Sequence, residues 1–592
     1  MKHFTLLSLF LSCAACLNAA ETPSFAWAKV LDGPLANEQN GGIAVTTDGN
    51  FVSYNSFQSS GSDSPCYFGD DLIANGSAIS SDRNLMILKT DAQGNKLWSV
   101  HSTNGYFDSA DGKITPTADG GVLVLTKTRP SQNGTEYIAS VLVDAAGDRT
   151  ELYDMNTSIW AYCQALIKID ANGHIEWAKV FLNDQLPVPA ATATAAKVAT
   201  TNGVNPYSLC TDTDGNIYIA GNYRSPMVLS GKDNGCFVLC PRDVAAYNGD
   251  PQQTGGSLYI IKLDAEGNYL NHVKATGENN YEKINGVHFL DGNIVFNGNI
   301  KGNGKGSSLT IGEATFSIDD DNTFDNVFVG SVKASDLSAN YLRLYSTFTN
   351  SAKKFVVQVK NSIVADGKMY ICGALNGGIG DSDAASALIA TDGTMLEAFA
   401  LQVNLNDGSI GRAFIQPGTA ITGYYGCFLY NGNVYFQGYT IAKNAFLDHF
   451  PADGEWTDNA RFTFLDGNVG MANAATVNDN TAVLVSRVNA ANGITVTGTE
   501  TKPKTTGYGL LFTSYNLGGT VAVPGISQDG VSGTVFTGDE GHITVSTASP
   551  AKVDVYTPSG AHVASADAPA GTSHITLPAG VYIANGNKVI VR

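Results

Sequence analysis

Residues 209–221 read LCTDTDGNIYIAG, and residues 259–273 read YIIKLDAEGNYLNHV. Each is a strand, a tight corner and a second strand. Asp214-Gly215 suits a hairpin corner, because Asp-Gly and Asn-Gly tolerate the positive φ that such turns demand. The residues after it, Ile217-Tyr218-Ile219-Ala220, are β-branched or aromatic, as on a strand.

The first pattern recurs along the chain. It reads AVTTDGNFVSY at Asp48, ITPTADGGVLVL at Asp119, VHFLDGNIVFNG at Asp291 and SIVADGKMYICG at Asp366. Weaker copies are FLYNGNVYFQG at Asn431 and TVNDNTAVLV at Asp479. The second pattern follows each first one. It reads LMILKTDAQGNKLWSV at 85–100 and LIKIDANGHIEWAKVF near Asp170. Looser forms lie near Asp336, Asp392, Asp453 and Asn516. Two hairpins per repeat make a four-stranded antiparallel sheet, and seven repeats make an all-β chain of radially arranged sheets. The connection between the hairpins varies in length, as surface insertions do; the long stretch from Gly231 to Gly256 is a place for partner contacts, and the Ala/Thr-rich 184–202 read as an inter-blade loop.

The last repeat ends at LLFTSYNLGG without an outer strand. Phe25-Ala26-Trp27-Ala28-Lys29-Val30 resembles IEWAKVF at 175–181, so the N-terminal strand should complete the last sheet and remove an open edge. That is the closure of a seven-bladed β-propeller over 21–520. The repeats resemble the bacterial β-propeller repeat family whose units read DGNIYVTG…LVKLDANGNVLW, on residues 214–221 and 261–268 above all.

Composition agrees with a turn-rich β protein. The 592 residues are 43% hydrophobic and 15% charged, with 64 glycines. Lys and Arg number 35 against 54 Asp and Glu, a net charge of −19. A field of that sign repels phosphate backbones, so no nucleic-acid partner is expected. Beyond the N-terminus no apolar run is long enough for a transmembrane helix.

Residues 1–20, MKHFTLLSLFLSCAACLNAA, have a short basic start, an apolar core from Phe4 to Leu11 and small residues before Glu21. They read as a signal peptide. Cys16 faintly resembles a lipoprotein cleavage site, but Cys13 stands where a leucine is usual. At the other end, 521–530 read as a linker, and 531–592 as a small β-sandwich with strands at 542–545 and 553–556. VDVYTPSGAHVAS, LPAGVYIANG and the closing KVIVR resemble the C-terminal sorting domain of exported Bacteroidota proteins. The resemblance implies recognition by type IX secretion machinery and a secreted or outer-membrane surface location.

No residue is assigned a catalytic, cofactor-binding or metal-binding role. HExxH, GxSxG and P-loop patterns are absent. Asp212-Thr213-Asp214-Gly215-Asn216 begins like a calcium loop but has Tyr223 where a glutamate is needed, and reads as a hairpin corner. Asp319-Asp320-Asp321-Asn322 with Asp325 reads as a solvated acidic loop. His174 and His272 sit near outer turns. Trp98, Trp177 and Trp456 recur at one place in the repeat, which points to packing between sheets rather than sugar platforms. Cys210 and Cys372 read as small buried hydrophobes, and Cys236 and Cys240 as a possible local bridge. The function expected is a binding or adhesion module for a glycan or protein. The alternative is a secreted polysaccharide hydrolase with carboxylates converging in the central funnel.

Overall fold

The computed structural model describes residues 23–592 except 62–64, 78, 80–81, 134–135, 153–162, 184–203, 224–226, 231–235, 240–256, 277–280, 303–306, 320–323, 349–355, 383–385, 392–393, 419, 458, 519–534, 540, 548, 558–561, 579, 585–586 and 592. The leader, the 184–202 segment, the 521–530 linker, Cys240 and the core of the 319–325 acidic run therefore lie outside the described residues. One unit runs Ser24–Asn516, and a second contains Leu517–Arg592. Every regular element among the described residues is a strand.

The corners are of two kinds. Asp291-Gly292, Asp366-Gly367 and Asn431-Gly432 hold both residues at positive φ, between 47° and 75°. Leu290 pairs directly with Asn293 across the first of them. These are the two-residue turns whose twist matches the strands. The corners at Asp48 and Asp119 differ from the expectation, since only Gly49 and Gly120 have positive φ there. The aspartate is instead an acceptor. Asp48 Oδ1 takes hydrogen bonds from Thr46 Oγ1 (2.6 Å) and Asn50 N (3.2 Å), closing a longer turn. At Asp214 the acceptor is Asp212, whose Oδ1 binds the amides of Asp214 and Asn216.

In the first unit these hairpins build seven sheets of four to six strands. Their inner strands, in chain order, are Leu35–Val45, Tyr106–Pro116, Val204–Thr211, Tyr281–Leu290, Val356–Ala365, Thr422–Tyr430 and Val469–Asn478. Each packs against the next, and the last packs against the first. The cycle is closed, so the unit is a β-propeller. Ser24–Asp32 lies antiparallel on Tyr508–Asn516, pairing from Ser24↔Asn516 to Leu31↔Leu510. The N-terminal strand completes the last sheet, as the sequence match at 25–30 anticipates.

The insertions do more than the sequence reading allowed. Val141–Val143 and Arg149–Glu151 belong by sequence to the second sheet, yet they extend the outer edge of the first through Lys96–Asn104. Met227–Ser230 and Cys236–Leu239, at the 231–256 insertion, likewise extend the second sheet through Ile175–Asn183. Equivalent strands reach back from the fourth, fifth, seventh and first sheets. The sixth sheet's middle strands, Asn433–Thr440 and Asn444–Pro451, follow one another too closely for such an excursion, and the fifth sheet ends on Ile410–Gln416. The described strands of these insertions cover exposed strand edges. The outer hairpin of the fifth sheet turns at Asp407-Gly408, between Glu397–Asn404 and Ile410–Gln416, and Asp392 lies outside the described residues.

Tryptophans lock neighbouring sheets together. Trp27 Nε1 donates to Ala92 O, and Trp98 Nε1 to Ala171 O, both at 2.9 Å. A Cβ on Gly173 would meet the Trp98 ring at 2.8 Å, so the indole seats on a corner that only glycine leaves open. Trp177 meets Gly267 in the same way. Trp456 is buried among Phe436, Phe450 and Tyr370. The recurrent tryptophans are packing groups. Cys210 and Cys372 are buried free thiols, and Cys372 lies beside Cys427.

The second unit has a sheet of Val535–Asp539, His542–Thr547 and Gly571–Thr576, and one of His562–Ala568, Ala551–Tyr556, Gly580–Ala584 and Asn587–Val591. Ile543, Val545, Val553, Val555 and Val591 form one core between them. Alternate burial along His542–Thr547 follows the two-residue period of its sequence.

Candidate binding site

Each inner strand loses register with its neighbour near its middle, and Leu35–Val45 and Val469–Asn478 do so a second time nearer their starts. The break falls between Asn40 and Gly42, Asp108 and Lys113, Pro206 and Ser208, Ile284 and Gly286, Val359 and Asn361, Tyr424 and Gly426, and Ala472 and Ala474. A bulge leaves an extra residue unpaired and re-aims its side chain. Six of these bulges are single residues: Gly41, Tyr207, Asn285, Lys360, Tyr425 and Asn473. All six line one cavity of about 360 Å³, joined by Lys113 from the second inner strand. All seven inner strands therefore contribute to the cavity, which lies in the central channel of the ring.

The rest of the wall includes Gln39, Lys283, Asn361, Met471 and Arg487. Its chemistry is cationic and amide-rich, and no aspartate or glutamate is among the described lining residues. Lys283 Nζ stands 3.7 Å from the Tyr207 ring centroid, and Lys360 Nζ 5.0 Å from that of Tyr425. The Arg487 guanidinium lies 4.6 Å from the Tyr508 ring. These ring faces attract the cations through their quadrupole.

The electrostatics are those of like charges held close. Burial lowers Lys360, and the charge of Lys113 lowers it further. Burial and the same Lys113 bring partly exposed His288 to about 4, and its Nε2 lies 2.8 Å from Ser362 Oγ. Burial lowers Arg487 too, with Glu38 and Tyr508 opposing. Glu38 sits behind the wall, where burial and nearby Asp32 outweigh the Gly33 amide (3.1 Å) and raise it to about 8. Asp108, also near the wall, pairs with Arg83 at 3.6 Å, and Arg83 donates to Gln39 Oε1.

The residues singled out from sequence lie elsewhere. Asp212 spends its carboxylate on the corner: Oδ2 also accepts from Asn216 Nδ2 (2.8 Å) and Tyr218 OH (2.9 Å). Asp319 is exposed. His174 is exposed and bonds Asp170 at 3.0 Å, whereas His272 is half-buried against Tyr269 OH at 2.8 Å. The channel residues were missed because the seven inner strands and Thr481–Asn489 supply them from positions 39 to 487. The local signal is a broken alternation. In Lys283-Ile284-Asn285-Gly286-Val287 the buried apolar residues are 284 and 287, three apart, where a regular strand would place them two apart.

No protein-family model and no curated protein matches the chain. Among solved structures, a family PL25 ulvan lyase aligns over 79% of this chain and 93% of its own at 10% identity, with a TM-score of 0.37. Semaphorin 1b of Drosophila aligns over 83% and 88% at 8% identity and a TM-score of 0.34. A Hadza microbial sialidase aligns over 83% and 94% at 10% identity and a TM-score of 0.32. Likeness of that degree transfers no chemistry to this chain.

Proposed function

We propose that this chain is an exported seven-bladed β-propeller that binds a ligand in its central channel without cleaving it. One observation carries the reading: every inner strand delivers a residue to a cavity whose walls offer amides, cations and tyrosines and, among the described residues, no carboxylate. Glycoside hydrolysis ordinarily needs two carboxyls roughly 5 to 10 Å apart on either side of the bond. Amides and fixed cations instead recognise polar groups through hydrogen bonds, and the closed ring of inner strands holds them with little ordering cost on binding. Export rests on the leader-like residues 1–20. Placement at the surface rests on the resemblance of residues 531–592, read as a small β-sandwich, to a sorting domain.

The test is to incubate the protein with a panel of soluble polysaccharides and peptides. Retention should be scored by affinity electrophoresis and cleavage by release of reducing ends and ultraviolet-absorbing products. The expected result is retention of at least one glycan with no new chain ends. Steady release of ends or unsaturated products would overturn the reading.

A further inference from the structure

Resting on that reading, we infer that the channel selects an acidic saccharide, one bearing a carboxylate or sulfate beside free hydroxyls. Four of the sixteen lining residues are cationic, against 35 Lys and Arg in the whole chain of 592. They converge inside a protein whose net charge is −19. Bringing Lys113, Lys283 and Lys360 into one cavity costs desolvation and mutual repulsion, and both costs fall when an anion enters. The Lys113 charge already reaches Lys360 and His288, so the cations share one electrostatic environment.

The amides set the second half of the specificity. Asn285 Nδ2 donates to Asn299 Oδ1 at 2.6 Å; its oxygen can accept from a sugar hydroxyl, whereas a bare inorganic anion has no proton to give an amide oxygen. Asn361 Nδ2 donates to Tyr425 O at 3.3 Å and its Oδ1 accepts from Ser362 N at 2.8 Å, which fixes the rotamer and leaves the oxygen's second lone pair for a hydroxyl. A volume of about 360 Å³ lies at the small end of ligand sites, matching one or two sugar units rather than a folded partner.

Calorimetry on residues 21–592 at low ionic strength can test this with four probes: trigalacturonate, a sulfated galactose disaccharide, neutral galactotriose and inorganic sulfate. At least one acidic sugar should bind about tenfold or more tighter than galactotriose and than sulfate alone. Lys360→Gln and Lys283→Gln should each weaken it about tenfold or more, while Lys443→Gln, on the exposed outside, should not. Thermal melting confirms that each variant is folded. If galactotriose binds as tightly as the acidic sugars, or both channel variants bind normally, the inference fails while the binding reading survives. If sulfate alone accounts for the affinity, the site takes a bare anion and the saccharide assignment fails. If none of the probes binds, the acidic-saccharide inference falls, and the polysaccharide and peptide panel decides separately whether the binding reading falls with it.

Discussion

Asn478 Nδ2 donates to the carbonyl of Gly49 at 2.8 Å, although 429 residues separate them in the chain. The bond joins the corner of the seventh sheet to that of the first, where the ring must close. Next to it, Trp27 reaches from the closing strand into the first sheet's outer turn at Ala92. The two contacts tie the seventh sheet to the first, the second of them through the N-terminal strand.

Deleting residues 24–32 should therefore damage the whole ring. Leu31 is fully buried, and seven paired positions with Tyr508–Asn516 would be lost. At about 1 kcal/mol for each hydrogen bond, with apolar burial added, the loss is several kcal/mol. Thermal melting of the truncated chain should fall steeply or show no cooperative transition. An unchanged midpoint would contradict the closure.

Two glycines separate backbone strain from the tryptophan seat. Gly173 (φ 91°) and Gly147 (φ 92°) share one conformation, but a Cβ at 147 meets nothing within 4 Å, whereas at 173 it meets Trp98 and Ala145 at 2.8 Å. Gly147→Ala should cost about 1–2 kcal/mol from the backbone alone. Gly173→Ala should cost about 1–3 kcal/mol more, from overpacking. Equal losses by denaturant unfolding would remove the role given to Trp98.

An ion pair between partly exposed Arg461 and fully buried Asp448 supports the sixth sheet. Arg461 Nε and Nη2 donate to Asp448 at 2.7 and 2.6 Å, and Tyr424 OH adds a third bond at 2.6 Å. Arg461→Met would strand a fully buried carboxylate at a cost of about 3 kcal/mol. Replacing all three, as Arg461→Met, Asp448→Leu and Tyr424→Phe, should recover most of that loss. A triple variant no better than the single one would show that the network itself sets the packing.

Stability should crest near pH 6.5. Glu38 sits at about 8 in the fold against an ordinary 4.5, so between those values the folded chain keeps a proton that the unfolded chain has lost. Stability then falls as pH rises. Burial holds His101 and His288 at about 4 against 6.5, with Arg149 and Lys113 adding to it, so the unfolded chain binds more protons as pH drops through that window. Stability falls in that direction too. Glu38→Gln can still accept from Gly33 and should flatten the alkaline limb of a plot of Tm against pH. An alkaline limb unchanged in that variant would assign the loss to other groups.

The frame of the protein could be read from its residues, because corners and alternation are local. Gly215 and Gly292 punctuate strands at the positions where the chain turns, and the match of 25–30 to 175–181 names the closing strand. Two things were hidden. Edge covering depends on which sheet an insertion reaches, and the sequence of Val141–Val143 carries no mark of its partner Lys96–Asn104. The channel depends on single-residue slips at Asn285, Lys360 or Tyr425, each shifting the pairing by one residue with no common residue type to mark it. Cations 170 residues apart, such as Lys113 and Lys283, become neighbours on one wall only when the ring closes.

The most direct test of the account is an anomalous difference map from crystals of residues 21–592 soaked in bromide. The account predicts bromide inside the channel, against Lys113, Lys283 or Lys360. Bromide confined to the outer surface, with the channel bare, would contradict it.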